Sequence, residues 1–202
     1  MLAHQPSLFG WDEPSVDPAL PGARRLQLDR ESWVDRAPGW VQGHERLFEV
    51  LREGLEWHAS QREMYERTVD VPRLYAQVPR DGPGHPVLEQ MARALTRRYA
   101  EDLSTITLSL YRHGRDSVAW HRDREVRELD RSIVAVVSLG GPRKFGVRPV
   151  GGGQATYFTV GWGDLVVMGG ACQRNWEHGV PKTRHANPRM AVMFRHLAIE
   201  PD

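Results

Sequence analysis

The sequence predicts a mainly β fold with flanking helices, and two features of its 202 residues lead to this prediction. The C-terminal half alternates between short apolar segments and glycine-containing turns such as Gly140-Gly141 and Gly161-Trp162-Gly163. Turns that recur about every 8–12 residues are typical of a β sandwich or barrel. The N-terminal half contains two segments with helical periodicity, so we expect helices to buttress one sheet.

The first predicted helix covers residues 44–57, where Leu47, Leu51 and Leu55 recur at every fourth position between glutamates and arginines. This spacing places the leucines on one face of a helix. The second helix covers Pro86–Tyr99 and has a similar apolar stripe, with Pro86 suited to its first turn. Residues 60–86, between the helices, are rich in turn formers.

The clearest strand prediction is Thr105–Tyr111, because this segment alternates strictly. Alternation puts Ser109 and Tyr111 on one face and three aliphatic side chains on the other. Residues 132–139 form a continuous apolar run that suits a strand covered on both faces. Further strands are predicted at residues 144–148, 155–160, 164–168, 175–178 and 189–197.

Residues 1–22 contain four prolines and little periodicity, which predicts a flexible N-terminal arm. We expect residues 23–202 to form a single domain, with an N-terminal extension at 23–103 and a β core at 104–202. The single cysteine, Cys172, excludes an intramolecular disulfide and suits a reducing, cytoplasmic compartment. No apolar run is long enough to predict a membrane span, and no secretory signal is expected.

The formal net charge of +1 excludes a generally basic surface of the kind that coats nucleic acid. Local basic segments such as Arg97-Arg98, residues 112–115 and Arg143-Lys144 would form a binding track only if they converge in space. Tyr65 and Tyr75 are interleaved with arginines, as in a surface that stacks on nucleotides. The alternative for both tyrosines is a role in the core.

The motif around which the chain is organised is His121-Arg122-Asp123, followed by a second histidine, His178. Two imidazoles and one carboxylate fill one face of an octahedron and leave three positions open, as in non-haem iron(II) oxygenases. Arg189 and Arg195 are six residues apart, which places both on one face of a strand, where a guanidinium can pair with a dicarboxylic acid. Together with the short strands, this spacing favours a double-stranded β-helix, or jelly roll.

The segment from Ser104 to Arg195 resembles the AlkB family of iron(II)- and 2-oxoglutarate-dependent dealkylating dioxygenases, whose pattern is His-x-Asp, a distal His and Arg-x5-Arg. The resemblance implies that His121, Asp123 and His178 bind iron(II). It also implies that 2-oxoglutarate is bound by four residues, which are Ser109, Tyr111, Arg189 and Arg195. Ser109 stands where the family has asparagine, and its shorter reach puts that contact in doubt.

The resemblance further implies a reaction in which oxygen and 2-oxoglutarate are used to remove methyl groups from alkylated bases in DNA repair. It also implies that the N-terminal extension, residues 23–103, includes a lid over the damaged base. Glu125 matches an acidic position that the family places beside the exocyclic amine of the base, which suits 1-methyladenine and 3-methylcytosine because both lesions are cationic. Alternatively, Glu125 is a surface residue paired with Arg124 or Arg127. Alternative functions are a hydroxylase or demethylase of RNA, protein or a small metabolite, and a non-catalytic jelly roll that binds nucleic acid.

The arm contains Gln5-Pro6-Ser7-Leu8-Phe9, which resembles the peptide by which bacterial replication and repair proteins dock on the sliding clamp. Leu8 and Phe9 match the apolar anchors, and Pro6 stands where the motif more often has leucine. The resemblance implies a sliding clamp as a partner. The alternative is a tail whose Leu8 and Phe9 pack onto the domain.

Overall fold

The computed structural model describes residues 13–64, 67–78 and 85–196. In this part of the chain, β1 to β4 are Ser15–Val16, Arg24–Gln27, Ser32–Ala37 and Val41–Gln42, and α1 is His44–Gly54. Next come β5 (His58–Met64), β6 (Arg67–Gln77), α2 (Pro86–Tyr99), β7 (Thr105–Tyr111), β8 (Val118–His121) and β9 (Ser132–Gly140). The last elements are β10 (Arg143–Pro149), β11 (Thr156–Val160), β12 (Asp164–Gly170), α3 (Cys172–Asn175), β13 (Trp176–Val180) and β14 (Arg189–Arg195).

Two antiparallel sheets form the framework. The larger sheet has the strand order β2-β3-β12-β9-β14-β7-β6-β5, and the smaller has the order β11-β10-β13-β8. One apolar cluster lies between the helices and the larger sheet, and includes Leu47 of α1 and Met91 of α2. A second cluster lies between the sheets and includes Phe145 and Met168. The predicted jelly roll with helices against one sheet is therefore confirmed.

The two helices are confirmed, and α2 has the predicted bounds. Its end residues explain them: Pro86 starts the helix, the His85 ring accepts a hydrogen bond from the Val87 amide, and Ala100 closes the last turn in a left-handed conformation. The first helix ends at Gly54 rather than at residue 57. Burying a leucine such as Leu47 or Leu51 stabilises the fold by about 1.5–3 kcal/mol.

The N-terminal half contains strands that its sequence did not predict. Residues 60–86, although rich in turn formers, contribute to strands, because β5 and β6 pair with each other and β6 pairs with β7. The described part of the predicted arm is folded, since β1 pairs with β4 and Leu20 is buried. The motif at residues 5–9 and Tyr65 lie outside the described residues. Among the described helices, none has the length and apolar character that crossing a membrane requires.

Candidate metal centre and its cavity

Three candidate metal ligands come together because β8 and β13 pair antiparallel. His121 lies directly opposite His178 in that pairing, and Asp123 follows His121 by two residues. The Nε2 atoms of the two histidines lie 3.4 Å and 3.5 Å from one carboxylate oxygen, Asp123 Oδ1. One ligand atom from each residue lies within 4.8 Å of the others. This arrangement presents two imidazoles and one carboxylate to a common point.

Backbone contacts orient these side chains. His121 Nδ1 lies 2.9 Å from the Ala119 carbonyl oxygen, and a proton on Nδ1 leaves the Nε2 lone pair free for a metal. The Asp123 amide donates a 2.9 Å hydrogen bond to Oε1 of Gln173, a buried residue of α3. The Asp123 carbonyl accepts a 2.9 Å hydrogen bond from the Arg127 amide. The carboxylate is therefore positioned by α3 and by the turn after β8.

Burial and neighbouring charges favour the protonation states that metal ligands need. Burial is the main cause that lowers the pKa of His178 to about 3, so its imidazole is neutral near pH 7. Burial opposes ionisation of Asp123, but the His121 ring beside its carboxylate and nearby positive charges keep the Asp123 pKa below its ordinary value. One of these charges is Arg195, whose Nε lies 2.9 Å from Asp123 Oδ2 without the geometry of a hydrogen bond.

A buried cation lies deeper, where Arg189 on β14 is only 1% exposed. Its Nη2 donates a 2.8 Å hydrogen bond to Ser138 Oγ, and its guanidinium carbon lies 5.2 Å from the centroid of the Tyr111 ring. Arg189 Nε and Nη1 have no hydrogen-bond partner among the described residues. Buried donors without acceptors are unfavourable, and a carboxylate would satisfy both. This end of the cavity therefore fits an anionic ligand.

One cavity of about 470 Å³ joins the metal ligands to the buried arginine. Arg189 and Arg195 both face it from β14, as their spacing predicts, and Ser109 and Tyr111 face it from β7. Every predicted site residue that the structure describes lines this cavity: Tyr75, Ser109, Tyr111, His121, Asp123, Glu125, His178, Arg189 and Arg195. Tyr75 and Glu125 are exposed, and therefore belong to its mouth.

Two residues were not assigned to this site from the sequence, although Arg73 is one of the arginines interleaved with the tyrosines. Arg73 on β6 donates a 3.3 Å hydrogen bond from Nε to Ser109 Oγ, so Ser109 has an arginine partner within the cavity. This contact depends on the pairing of β6 with β7, which a single sequence does not reveal. Gln173 gave one weak signal, because it is a polar residue directly after the apolar run that ends at Cys172.

A sequence model described as the 2OG-Fe(II) oxygenase superfamily matches residues 32–196. The chain is 30% identical over 194 residues to a bovine protein named alpha-ketoglutarate-dependent dioxygenase alkB homolog 3, covering 84% of this chain and 68% of that protein. It is 30% identical over 188 residues to the human protein of the same name, covering 81% and 66%. The chain thus spans about two thirds of the length of these relatives.

Solved structures show the same fold at low sequence identity. OsALKBH1 superimposes with a TM-score of 0.56 at 15% identity, covering 86% of this chain and all of that one. A 2OG-Fe(II) oxygenase family oxidoreductase from Burkholderia pseudomallei superimposes with a TM-score of 0.54 at 16% identity, covering 82% of this chain and 86% of the other. These likenesses support the fold alone.

Proposed function

Because the chain belongs to the 2OG-Fe(II) oxygenase superfamily, whose members use iron(II) and 2-oxoglutarate, we propose that it oxidatively demethylates alkylated nucleic-acid bases. The proposed substrates are lesions such as 1-methyladenine and 3-methylcytosine in DNA, and the proposed setting is cytoplasmic DNA repair. One observation carries the proposal. A single cavity contains the three candidate iron ligands, a buried arginine with unmatched donors, and a carboxylate and a tyrosine at its mouth.

At the inner end, His121, Asp123 and His178 would hold the iron and leave three coordination positions open. When bound, iron(II) and 2-oxoglutarate would activate molecular oxygen, of which one atom enters succinate as carbon dioxide is lost and the other converts the N-methyl group to a hydroxymethyl group that leaves as formaldehyde. Arg189 would pair with the remote carboxylate of 2-oxoglutarate through Nε and Nη1. Arg195 would orient the Asp123 carboxylate as well as contact 2-oxoglutarate, because its Nε already lies beside Asp123 Oδ2.

At the mouth, Glu125 is proposed to recognise the cationic methylated base. Glu125 has no ion pair with a described residue, and Arg127 pairs instead with Glu128 at 3.0 Å. The carboxylate is therefore available to a positively charged ligand. Tyr75, which is 38% exposed on β6, offers a ring face for stacking. A target base would have to leave the helical stack, which costs a few kcal/mol and less when the base is damaged or single-stranded.

The alternatives predict different products. An RNA demethylase would release formaldehyde from methylated RNA but not from methylated DNA. A protein or metabolite hydroxylase would turn over 2-oxoglutarate without releasing formaldehyde from either nucleic acid. A non-catalytic jelly roll would form no succinate with any substrate.

The deciding experiment measures formaldehyde and succinate from the purified chain with iron(II), 2-oxoglutarate and oxygen. Oligonucleotides with 1-methyladenine or 3-methylcytosine are offered as DNA and RNA, in single and double strands. We expect formaldehyde and succinate in equal amounts from methylated DNA, and only slow succinate formation from unmethylated DNA. Succinate without formaldehyde on every methylated oligonucleotide would contradict the proposal.

We propose the sliding clamp as a further partner, through residues 5–9. What supports it is the sequence motif, together with the proposed repair activity, which gains from a higher local concentration on replicated DNA. We expect a peptide of residues 1–15 to bind a bacterial clamp with roughly micromolar affinity, because ordering a short peptide offsets part of its binding free energy. A peptide with both Leu8→Ala and Phe9→Ala is the control, and equal binding by the two peptides rules the partner out.

A further inference from the structure

A second surface of interest lies on the outer face of the four-stranded sheet. We call it the outer platform and define it by Trp120, Lys144, Arg148, Tyr157 and Lys182. The rings of Trp120 and Tyr157 lie 6.1 Å apart between centroids. The guanidinium carbon of Arg148 lies 4.5 Å from the Trp120 ring, and Lys144 Nζ lies 5.8 Å from the Tyr157 ring. The platform therefore alternates aromatic rings with cations.

A glycine makes this arrangement possible. A Cβ atom on Gly146 would lie 2.6 Å from Trp120 Cη2 and 2.8 Å from Tyr157 Cε1, both too close for a real side chain. The two rings therefore rest over the backbone of β10, where any larger residue would displace them. Tyr157 nevertheless remains 48% exposed, which leaves much of its ring open to a ligand.

The platform carries more positive than negative charge. Arg148 pairs with Glu177 at 2.8 Å, whereas Lys144 and Lys182 have no ion pair with a described residue. Beside Tyr157 lies a cleft of about 500 Å³ that both lysines line together with Arg143 and His185. No carboxylate is among the described residues that line it. The basic segment Arg143-Lys144 thus lines this cleft, and the positive electrostatic potential of the cleft favours an anion.

The outer platform is also adjacent to the metal cavity. A smaller cleft of about 190 Å³ shares Tyr157 and Lys182 with the basic cleft. The same small cleft shares Val118 and Val180 with the metal cavity. β8 is the edge strand of the four-stranded sheet. An extended ligand bound at the cavity therefore reaches the platform by passing around β8 alone.

From these observations we infer that the outer platform binds a flanking segment of single-stranded nucleic acid, with a base stacked on Tyr157 and phosphates held by Lys144 and Lys182. The inference rests on the proposed function, because it assumes a nucleic-acid substrate that extends beyond the reacting base. Stacking on an exposed ring with nearby lysines is independent of sequence, since every base has a flat face and every linkage a phosphate. A duplex would hide the base faces, so a single strand is the better occupant.

The test measures the binding of fluorescein-labelled thymidine oligonucleotides to the full chain, loaded with manganese(II) so that no turnover occurs. We expect Tyr157→Ala to weaken binding of a 15-mer about 10-fold and Tyr157→Phe to retain it, because the ring provides the stacking. A trinucleotide, which is too short to span both sites, should bind both variants like the wild type.

The charges are tested by salt dependence. Lys144→Ala combined with Lys182→Ala should reduce the slope of log affinity against log salt by roughly 1.4, because each phosphate contact to a single strand contributes about 0.7. Arg93→Ala combined with Arg97→Ala removes two charges from α2 and is the matched control, with an unchanged slope expected. If the Tyr157→Ala variant and the double-lysine variant both bind the 15-mer as tightly as the wild type does, the inference is wrong. The proposed function is not affected by that result. Failure of the wild type to bind the 15-mer also overturns the inference, whereas the proposed function is tested separately by formaldehyde release from methylated DNA.

Discussion

The inner end of the cavity and its mouth are built differently. Asp123, His178 and Arg189 at the inner end are all buried, and the two histidines of the triad lie opposite each other on paired strands. Glu125 and Tyr75 at the mouth are exposed, and Glu125 lies in a turn. The two histidines that must meet at one point are thus fixed by a hydrogen-bonded ladder, and the inner end is buried, whereas the side chains at the mouth are open to solvent. The predictions below test this division, from the largest expected effect to the smallest.

The largest effect is expected at the metal ligands. Replacing His178 or Asp123 with alanine should remove iron binding and reduce turnover at least about 1000-fold, because two ligands do not fill the site. Metal titration followed by calorimetry, together with succinate formation, measures both quantities. Circular dichroism of each variant checks that the sheets persist. A variant that keeps near-normal activity removes that residue from the ligand set.

Arg189→Ala should raise the 2-oxoglutarate concentration needed for half-maximal turnover about 100-fold, because it removes two charge-assisted hydrogen bonds. Iron binding should remain. Arg189→Lys is the matched control, since it keeps the charge without the forked donors. Cosubstrate dependence is read from the rate of succinate formation. An unchanged dependence in Arg189→Ala would transfer the role to another cation of the cavity, Arg195 or Arg73.

The inner end should also make the metal-free protein sensitive to acid. Burial lowers the pKa of His178 from about 6.5 in the unfolded chain to about 3 in the folded protein, so the unfolded chain binds more protons between these values and stability falls as the pH falls. Between pH 7.5 and 5 the free energy of unfolding should drop by about 2 kcal/mol from this group. Urea denaturation of the wild type and of His178→Gln measures the difference. Equal pH dependence in both proteins would show that His178 is not the source.

Gln173→Leu should weaken metal binding about 10-fold, because it removes the acceptor for the Asp123 amide while keeping the volume of the side chain. Hydrogen exchange of the Asp123 amide should speed up in the same variant, which separates positioning from general destabilisation. Gln173→Glu retains an acceptor oxygen and should recover part of the affinity. Slow exchange at Asp123 in Gln173→Leu would show that another group holds the turn.

The smallest effect is expected at the mouth. Glu125→Gln should lower activity on cationic methylated bases about 5-fold, while 2-oxoglutarate decay without substrate stays unchanged, because only the charge at the mouth is lost. Formaldehyde and succinate measured in parallel separate the two. Arg127→Gln, which changes a neighbouring charge that pairs with Glu128, is the control. Equal losses in both reactions would place Glu125 among the residues that maintain the inner end.

The same division explains what the sequence could predict. The alternation of β7 correctly placed Ser109 and Tyr111 towards the cavity and Leu108 towards the helices, because a strand buried on both faces still separates polar from apolar positions. The six-residue spacing of Arg189 and Arg195 likewise placed both on the cavity face of β14. Periodicity within one element is local information, and it proved sufficient for these residues.

Contacts between distant elements were not predictable in this way. The hairpin of β5 and β6 was missed because residues 60–86 carry turn formers, and its pairing with β7 joins Tyr75 to Ser109 across the chain. The approach of Arg195 to Asp123 depends on the side-chain conformation and on the turn after β8. Gln173 accepts a hydrogen bond from the backbone amide of Asp123, and its position after an apolar run was only a weak signal in the sequence.

The direct pairing of His121 with His178 also determines where the chain can change length. Successive side chains of a strand face opposite sides, so one residue inserted within β8 or β13 would turn an imidazole from the cavity to the outer surface. An insertion among the glycines at residues 151–153, between β10 and β11, would leave the pairing of β13 with β8 and with β10 unchanged. Loop grafts and insertional tags should therefore be placed in that glycine turn. A residue added between the start of β8 and Asp123 would displace the metal ligands.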